Sequence, residues 1–142
     1  MKLFTIGFTK KPAKVFFSLI KESGAARLID VRLNNTSQLA GFAKRDDLQY
    51  FLQTICGITY HHLPQFAPTK ELLKDFRRTK SWDQYEKDFL ALMSERQTEK
   101  TDPTLLDNAC LLCSEPTPEH CHRRLVAEYL KTTWPDLDII HL

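Results

Sequence analysis

The sequence predicts a three-layer, Rossmann-like α/β domain with a mostly parallel sheet of about five strands and an inserted helical pair. Three observations carry that expectation. Short apolar runs alternate with stretches of helical periodicity along the whole chain. The 142 residues suit one core. A composition of 42% hydrophobic and 27% charged residues is that of a globular chain, neither fibrous nor unstructured.

The elements follow in order. LFTIGF (3–8) reads as a buried strand, and Gly7 with Thr9 forms the turn out of it. Val15, Phe16, Leu19 and Ile20 recur at helical spacing, with Pro12 suited to the first helical position and Gly24 to the stop. RLIDVR (27–32) is the second strand, paired in parallel with the first through a crossover helix. Residues 33–44 show no periodicity and read as a loop. Leu48, Phe51, Leu52 and Ile55 mark an amphipathic helix that ends before Gly57. ITYHHLP (58–64) is the third strand. Two helices follow, 69–78 and one capped by Ser81 that buries Trp82, Tyr85, Phe89 and Leu92. NACLLC (108–113) is the fourth strand, 118–134 a helix capped by Thr117 and begun by Pro118, and DIIHL (138–142) the last strand. No repeat or linker divides residues 1–142, so one domain is expected.

The net charge of +2 disfavours a general nucleic-acid coat. The N-terminus lacks the pattern of a signal peptide, since its apolar run meets Lys10 and Lys11, and no stretch reaches the roughly 20 apolar residues of a membrane helix. A cytoplasmic location with no membrane partner is therefore expected, and with it four free cysteines.

The chemistry concentrates in CLLCSEPTPEHCHRR (110–124). Cys110 and Cys113 share redox spacing, yet on a strand they face opposite ways, with Cα atoms about 10 Å apart. A disulfide needs less than about 7 Å. Cys110 then reads as core. Cys113 ends its strand at the edge where open parallel sheets collect ligands. Cys121 and His122, four residues before Leu125 and Val126, lean inward from the following helix, and Arg123 reaches across the mouth of the site. The helix N-terminus favours an anion and a thiolate. Cys113 or Cys121 would be the nucleophile, with Glu115 or Asp30 for proton transfer beside His122. Each of these residues alone has a plain structural reading: core thiol, bonded imidazole, ion-pair partner.

Asp30 and Arg32 share a face at the end of the second strand, where they either meet a ligand or pair with each other. Ser37 and the amides of LNNTSQ offer hydrogen bonds to a polar ligand or ordinary turn chemistry. Thr9 sits on a turn that suits a phosphate. His61 and His62 face opposite ways, so at most one joins a site, and His62 is nearer the strand end. Helices 69–98 could roof the pocket. Cys113, Cys121, His122 and His62 are zinc-type ligands, but the gap between the cysteines and the adjacency of Cys121 and His122 argue against a metal. No cofactor is implied. The expected ligand is small and anionic or nucleotide-like, acted on by an enzyme or held by a non-catalytic module. A nucleic-acid partner would need Lys10, Lys11, Lys44 and Arg45 around the mouth.

TIGFT (5–9), LIDVR (28–32), SQLAGF (37–42), ITYHHLP (58–64) and LLCSEPTPEHCHR (111–123) together resemble the domain-of-unknown-function 488 family, in that family's order. The resemblance implies a compact α/β domain and no agreed reaction. The family's first motif reads T-I-G-H-S, so Phe8 and Thr9 stand here where the family has histidine and serine. If that histidine transfers protons in the family, His62 is the candidate to replace it.

Overall fold

A computed structural model describes residues 1–36 and 40–142. Ser37 therefore lies outside the described residues. Five strands form one sheet: β1 (Lys2–Gly7), β2 (Arg27–Asp30), β3 (Thr59–His62), β4 (Ala109–Cys113) and β5 (Asp138–His141). All pairings are parallel and the order is β3-β2-β4-β1-β5. The expected α/β class and strand count hold.

Alternation along the strands makes two cores. Phe4, Ile6, Leu28, Cys110 and Leu112 face one way, onto Phe16, Phe17 and Ile20 of α1 (Ala13–Ser23) and Leu48 of α2 (Arg45–Phe51). Leu3, Ile29, Ala109 and Leu111 face the other way. They meet Tyr85, Phe89 and Met93 of α4 (Trp82–Glu95) and Leu125, Val126 and Leu130 of α6 (His122–Thr133). Cys110 and Cys113 fall in opposite cores, as strand geometry requires. Between β3 and α4 lies α3 (Lys70–Thr79), and after α4 the short α5 (Pro103–Leu106).

Caps set the helix bounds. Gly24 and Gly57 take φ of 76° and 68° at helix ends, where a left-handed residue closes the last turn. Thr69 and Ser81 accept from the backbone N–H of Leu72 and Gln84. Pro12 is the N-cap of α1, one residue before the position expected. After α2 the chain widens into a π-turn, Leu52–Cys56. That widening breaks the helical register, so Ile55, expected on the apolar stripe, is exposed. In α4, Tyr85 and Phe89 are buried but Trp82 and Leu92 only half so.

The helix expected over 118–134 begins four residues late, at His122, with Cys121 as N-cap. Side chains explain the delay. The Thr117 hydroxyl bonds the Glu119 carboxylate instead of capping. The Arg124 guanidinium takes the carbonyls of Pro118 and Glu119.

The topology creates a cleft. From β2 the chain leaves toward β3 over the α1 and α2 face. From β4, the neighbour of β2, it leaves toward β5 over the α6 face. Loops that part in opposite directions from adjacent parallel strands open a crevice beyond their carboxyl ends.

Candidate functional site

A cavity of about 1030 Å³ occupies that crevice. Its floor is the end of β4 and the loop after it, from Cys113, Ser114 and Glu115 to His120, Cys121 and His122. One wall is the loop after β2, from Arg32 to Thr36. The opposite wall is α3 with the start of α4: Lys70, Lys74, Arg77, Trp82 and Tyr85.

The wall after β2 is held from within. The Asp30 carboxylate is fully buried and accepts from the Arg32 backbone N–H (3.1 Å), Arg32 Nε (2.9 Å) and Arg32 Nη2 (2.8 Å). The Tyr60 hydroxyl donates to its second oxygen at 2.5 Å and accepts from Asn35 Nδ2. Burial, and then the bond to this carboxylate, push the Tyr60 hydroxyl's pKa well above the usual range. The Arg32 guanidinium lies 5.4 Å from the Phe8 ring centroid, a cation–π contact. Arg32 is 4% exposed, and its Nη1 is buried with no partner among the described residues.

The floor is equally tied. The sulfurs of Cys113 and Cys121 lie within disulfide distance, although their Cα atoms, 7.3 Å apart, stand just past the usual limit of about 7 Å. Cys56 and Cys110 are free thiols, whereas Cys113 and Cys121, also expected to be free, are disulfide-close to each other. Faces and ends account for this. Strand spacing rightly separated Cys113 from Cys110, but the loop 114–120 folds back and lays the N-cap of α6 against the end of β4. While bonded, neither sulfur is a nucleophile. The ring nitrogen Nε2 of His122 lies 2.6 Å from the Val31 carbonyl. Loss of hydration, with Arg123 adding to it, lowers the His122 pKa to about 4, so the imidazole is neutral at physiological pH.

Arg123 does not reach across the mouth. It is fully buried, below the cavity floor. Its Nε donates to Thr5 Oγ1 (3.2 Å), and its Nη1 to the Glu115 carbonyl (2.7 Å) and toward Cys113 Sγ (3.8 Å). Its pKa is lowered to about 10 by burial. Arg123 precedes the buried Val126, Ala127 and Leu130 by three, four and seven residues, so it belongs to the inward face of α6. Gly7 makes this packing feasible. A Cβ there would overlap the Glu115 carbonyl oxygen and sit 2.9 Å from Arg123 Nη1.

The remaining expected residues are placed as follows. Thr9 donates its backbone N–H to Ser114 O and is outside the cavity lining. His62 is outside it too, its Nε2 3.0 Å from the Arg32 carbonyl. Asp30 is outside the lining and touches the cavity through Arg32, and through Tyr60 and Asn35. Cys113, Glu115, Cys121, His122 and Arg32 all line it. Lys10, Lys11, Lys44 and Arg45 do not, and Lys11 Nζ instead donates to the Pro116 carbonyl.

Sequence reasoning missed the basic face of α3. Lys70, Lys74 and Arg77 stand at i, i+4 and i+7, one side of a helix. The near-neutral total charge hid them, although the spacing itself was readable. It also missed His120, whose ring stacks on Trp82 at 4.9 Å and 25°; Trp82 stacks in turn on Tyr85 at 5.0 Å.

The chain matches the family described as Domain of unknown function DUF488 over residues 12–130. It belongs to that family. No curated protein and no solved structure matches it. Among the described residues no helix is long and apolar enough to cross a membrane.

Proposed function

We propose that the cavity binds a small anionic, nucleotide-like ligand and that the protein is an enzyme acting on it. One observation carries the reading: Arg32, Lys70, Lys74 and Arg77 line a single cavity against one carboxylate, Glu115. Cations converging on a concave site meet an anion, and phosphate is the anion that several point charges and a guanidinium fork suit. The unpartnered Nη1 of Arg32 is a donor such a ligand would satisfy. His120, exposed at the cavity wall and backed by the stacked Trp82, offers a ring face to a flat group on the same ligand. Glu115 is the proton-transfer group, because it is the lining carboxylate and is exposed to the space.

Thermal shift with inorganic phosphate, sugar phosphates and nucleoside phosphates tests the binding. A ligand at 100 times its Kd raises stability by about 2.7 kcal/mol. Lys74→Gln and Arg77→Gln should each weaken that ligand at least tenfold. No shift with any of these anions at low salt would end the reading. Mass-spectrometric detection of product, lost in Glu115→Gln, separates an enzyme from a carrier. The carrier reading draws on the floor itself: the disulfide and the bond between His122 and Val31 leave Glu115 with few chemical partners.

A further inference from the structure

The disulfide in the floor stands beside a third metal-type ligand. The Cys113 sulfur, the Cys121 sulfur and a His122 ring nitrogen lie within 4.8 Å of one another, and all three residues line the cavity. We propose that, once the disulfide is reduced, Cys113, Cys121 and His122 bind one soft or borderline divalent cation of the zinc class. This site goes beyond the anion reading and does not depend on it.

The donor set is that of a three-ligand, Cys2His zinc centre whose fourth position is open. The open position faces the cavity, because every ligand does. His122 is oriented for the task. Ligating histidines usually donate their other N–H to a carbonyl or carboxylate, which fixes the tautomer. Here Nε2 is held by the Val31 carbonyl, which leaves Nδ1 to coordinate. The thiolates are also provided for. Arg123 Nη1 lies 3.8 Å from Cys113 Sγ and supplies a buried positive charge. Cys121 is the N-cap of a 12-residue helix, whose free N–H groups favour the anion. A tetrahedral ion with bonds of about 2.3 Å to sulfur holds two sulfurs about 3.8 Å apart. The Cα atoms of the pair are 7.3 Å apart, wide enough for two sulfurs at that separation.

The chemistry balances. A dithiol reductant gives two electrons and two protons to the S–S bond. Its own thiols close into a disulfide, and Cys113 and Cys121 become thiols. Metal binding then releases those two protons to solvent. A reducing compartment would hold the protein in the metal-competent form, and oxidation would close the site.

The test uses the full chain, reduced with dithiothreitol, freed of reductant without oxygen and titrated with cadmium. One equivalent should bind, with the ultraviolet cadmium–thiolate charge-transfer band. Diamide-oxidised protein should take up none. Cys113→Ser and Cys121→Ser should each abolish the band, His122→Gln should weaken binding at least tenfold, and Cys56→Ser should change nothing. Because these variants can misfold, a second readout uses wild-type protein. Zinc should slow iodoacetamide labelling of Cys113 and Cys121, read by peptide mass spectrometry, and leave Cys56 unprotected. Reduced wild-type protein that binds no cadmium overturns the proposal. So does full binding in both serine variants, or labelling of Cys113 and Cys121 indifferent to zinc.

Discussion

Replacing Asp30 by Asn probes the hinge between scaffold and site. The amide keeps the shape of the carboxylate and removes its charge. If its oxygen keeps the bonds from the Arg32 backbone and Nε, its NH2 group faces Arg32 Nη2 and the Tyr60 hydroxyl. Tyr60 can turn its hydroxyl to accept. Arg32 Nη2 is a donor only, so one charge-assisted bond becomes a donor–donor contact. The guanidinium, 4% exposed, also loses its counterion. Breaking a buried pair from one side costs about 3–5 kcal/mol. Arg32 borders a cavity that water can enter, so the low end applies, about 3 kcal/mol. At about 4 °C per kcal/mol for a chain of this size, Tm should fall by about 12 °C. Ligand affinity should fall too, since Arg32 no longer has a fixed direction. Thermal and urea unfolding read the first effect, and titration with the best anion reads the second. Asp30→Leu combined with Arg32→Met adds a control. Removing both charges should recover most of the stability, yet not the binding. A loss below about 0.5 kcal/mol in Asp30→Asn, the size of an ordinary surface change, would refute the claim that this pair holds the wall.

Other outcomes follow from single contacts. Gly7→Ala should cost about 3 kcal/mol or more in urea unfolding, because the methyl group displaces the Glu115 carbonyl and breaks the bond from Arg123. Thr69→Ala removes the cap of α3 and should cost about 1 kcal/mol; hydrogen exchange should rise in α3 more than in α4. Phe89→Ala, in the core under the cavity, should cost about 3–5 kcal/mol by thermal unfolding. Tyr60→Phe should cost about 1.5–3 kcal/mol alone, and clearly less in an Asp30→Asn background, since the two share one bond.

Much of this protein is written in local pattern. Periodicity of two and of 3.6 along the chain is enough to place five strands and the long helices, because burying one face is a local demand on residue order, and the residue type of Ser81 marks one cap. The opposite facing of Cys110 and Cys113 follows from the same rule. Strand order does not, since β4 enters between β2 and β1 although β3 and four α-helices separate it from β2 in the sequence, and no local preference records that insertion. Nor does the partner of a side chain. Arg123 could meet a ligand or Glu115's carbonyl, and Cys121 could be a free thiol or bond to Cys113. Those choices depend on how the 114–121 loop folds over Gly7. The basic side of α3 was visible as spacing but meant nothing until the fold set it across a cleft from Arg32. Residue pattern determined which faces are buried; only the packed chain decided which polar groups meet, because their encounters are set by distances through space and not along the sequence.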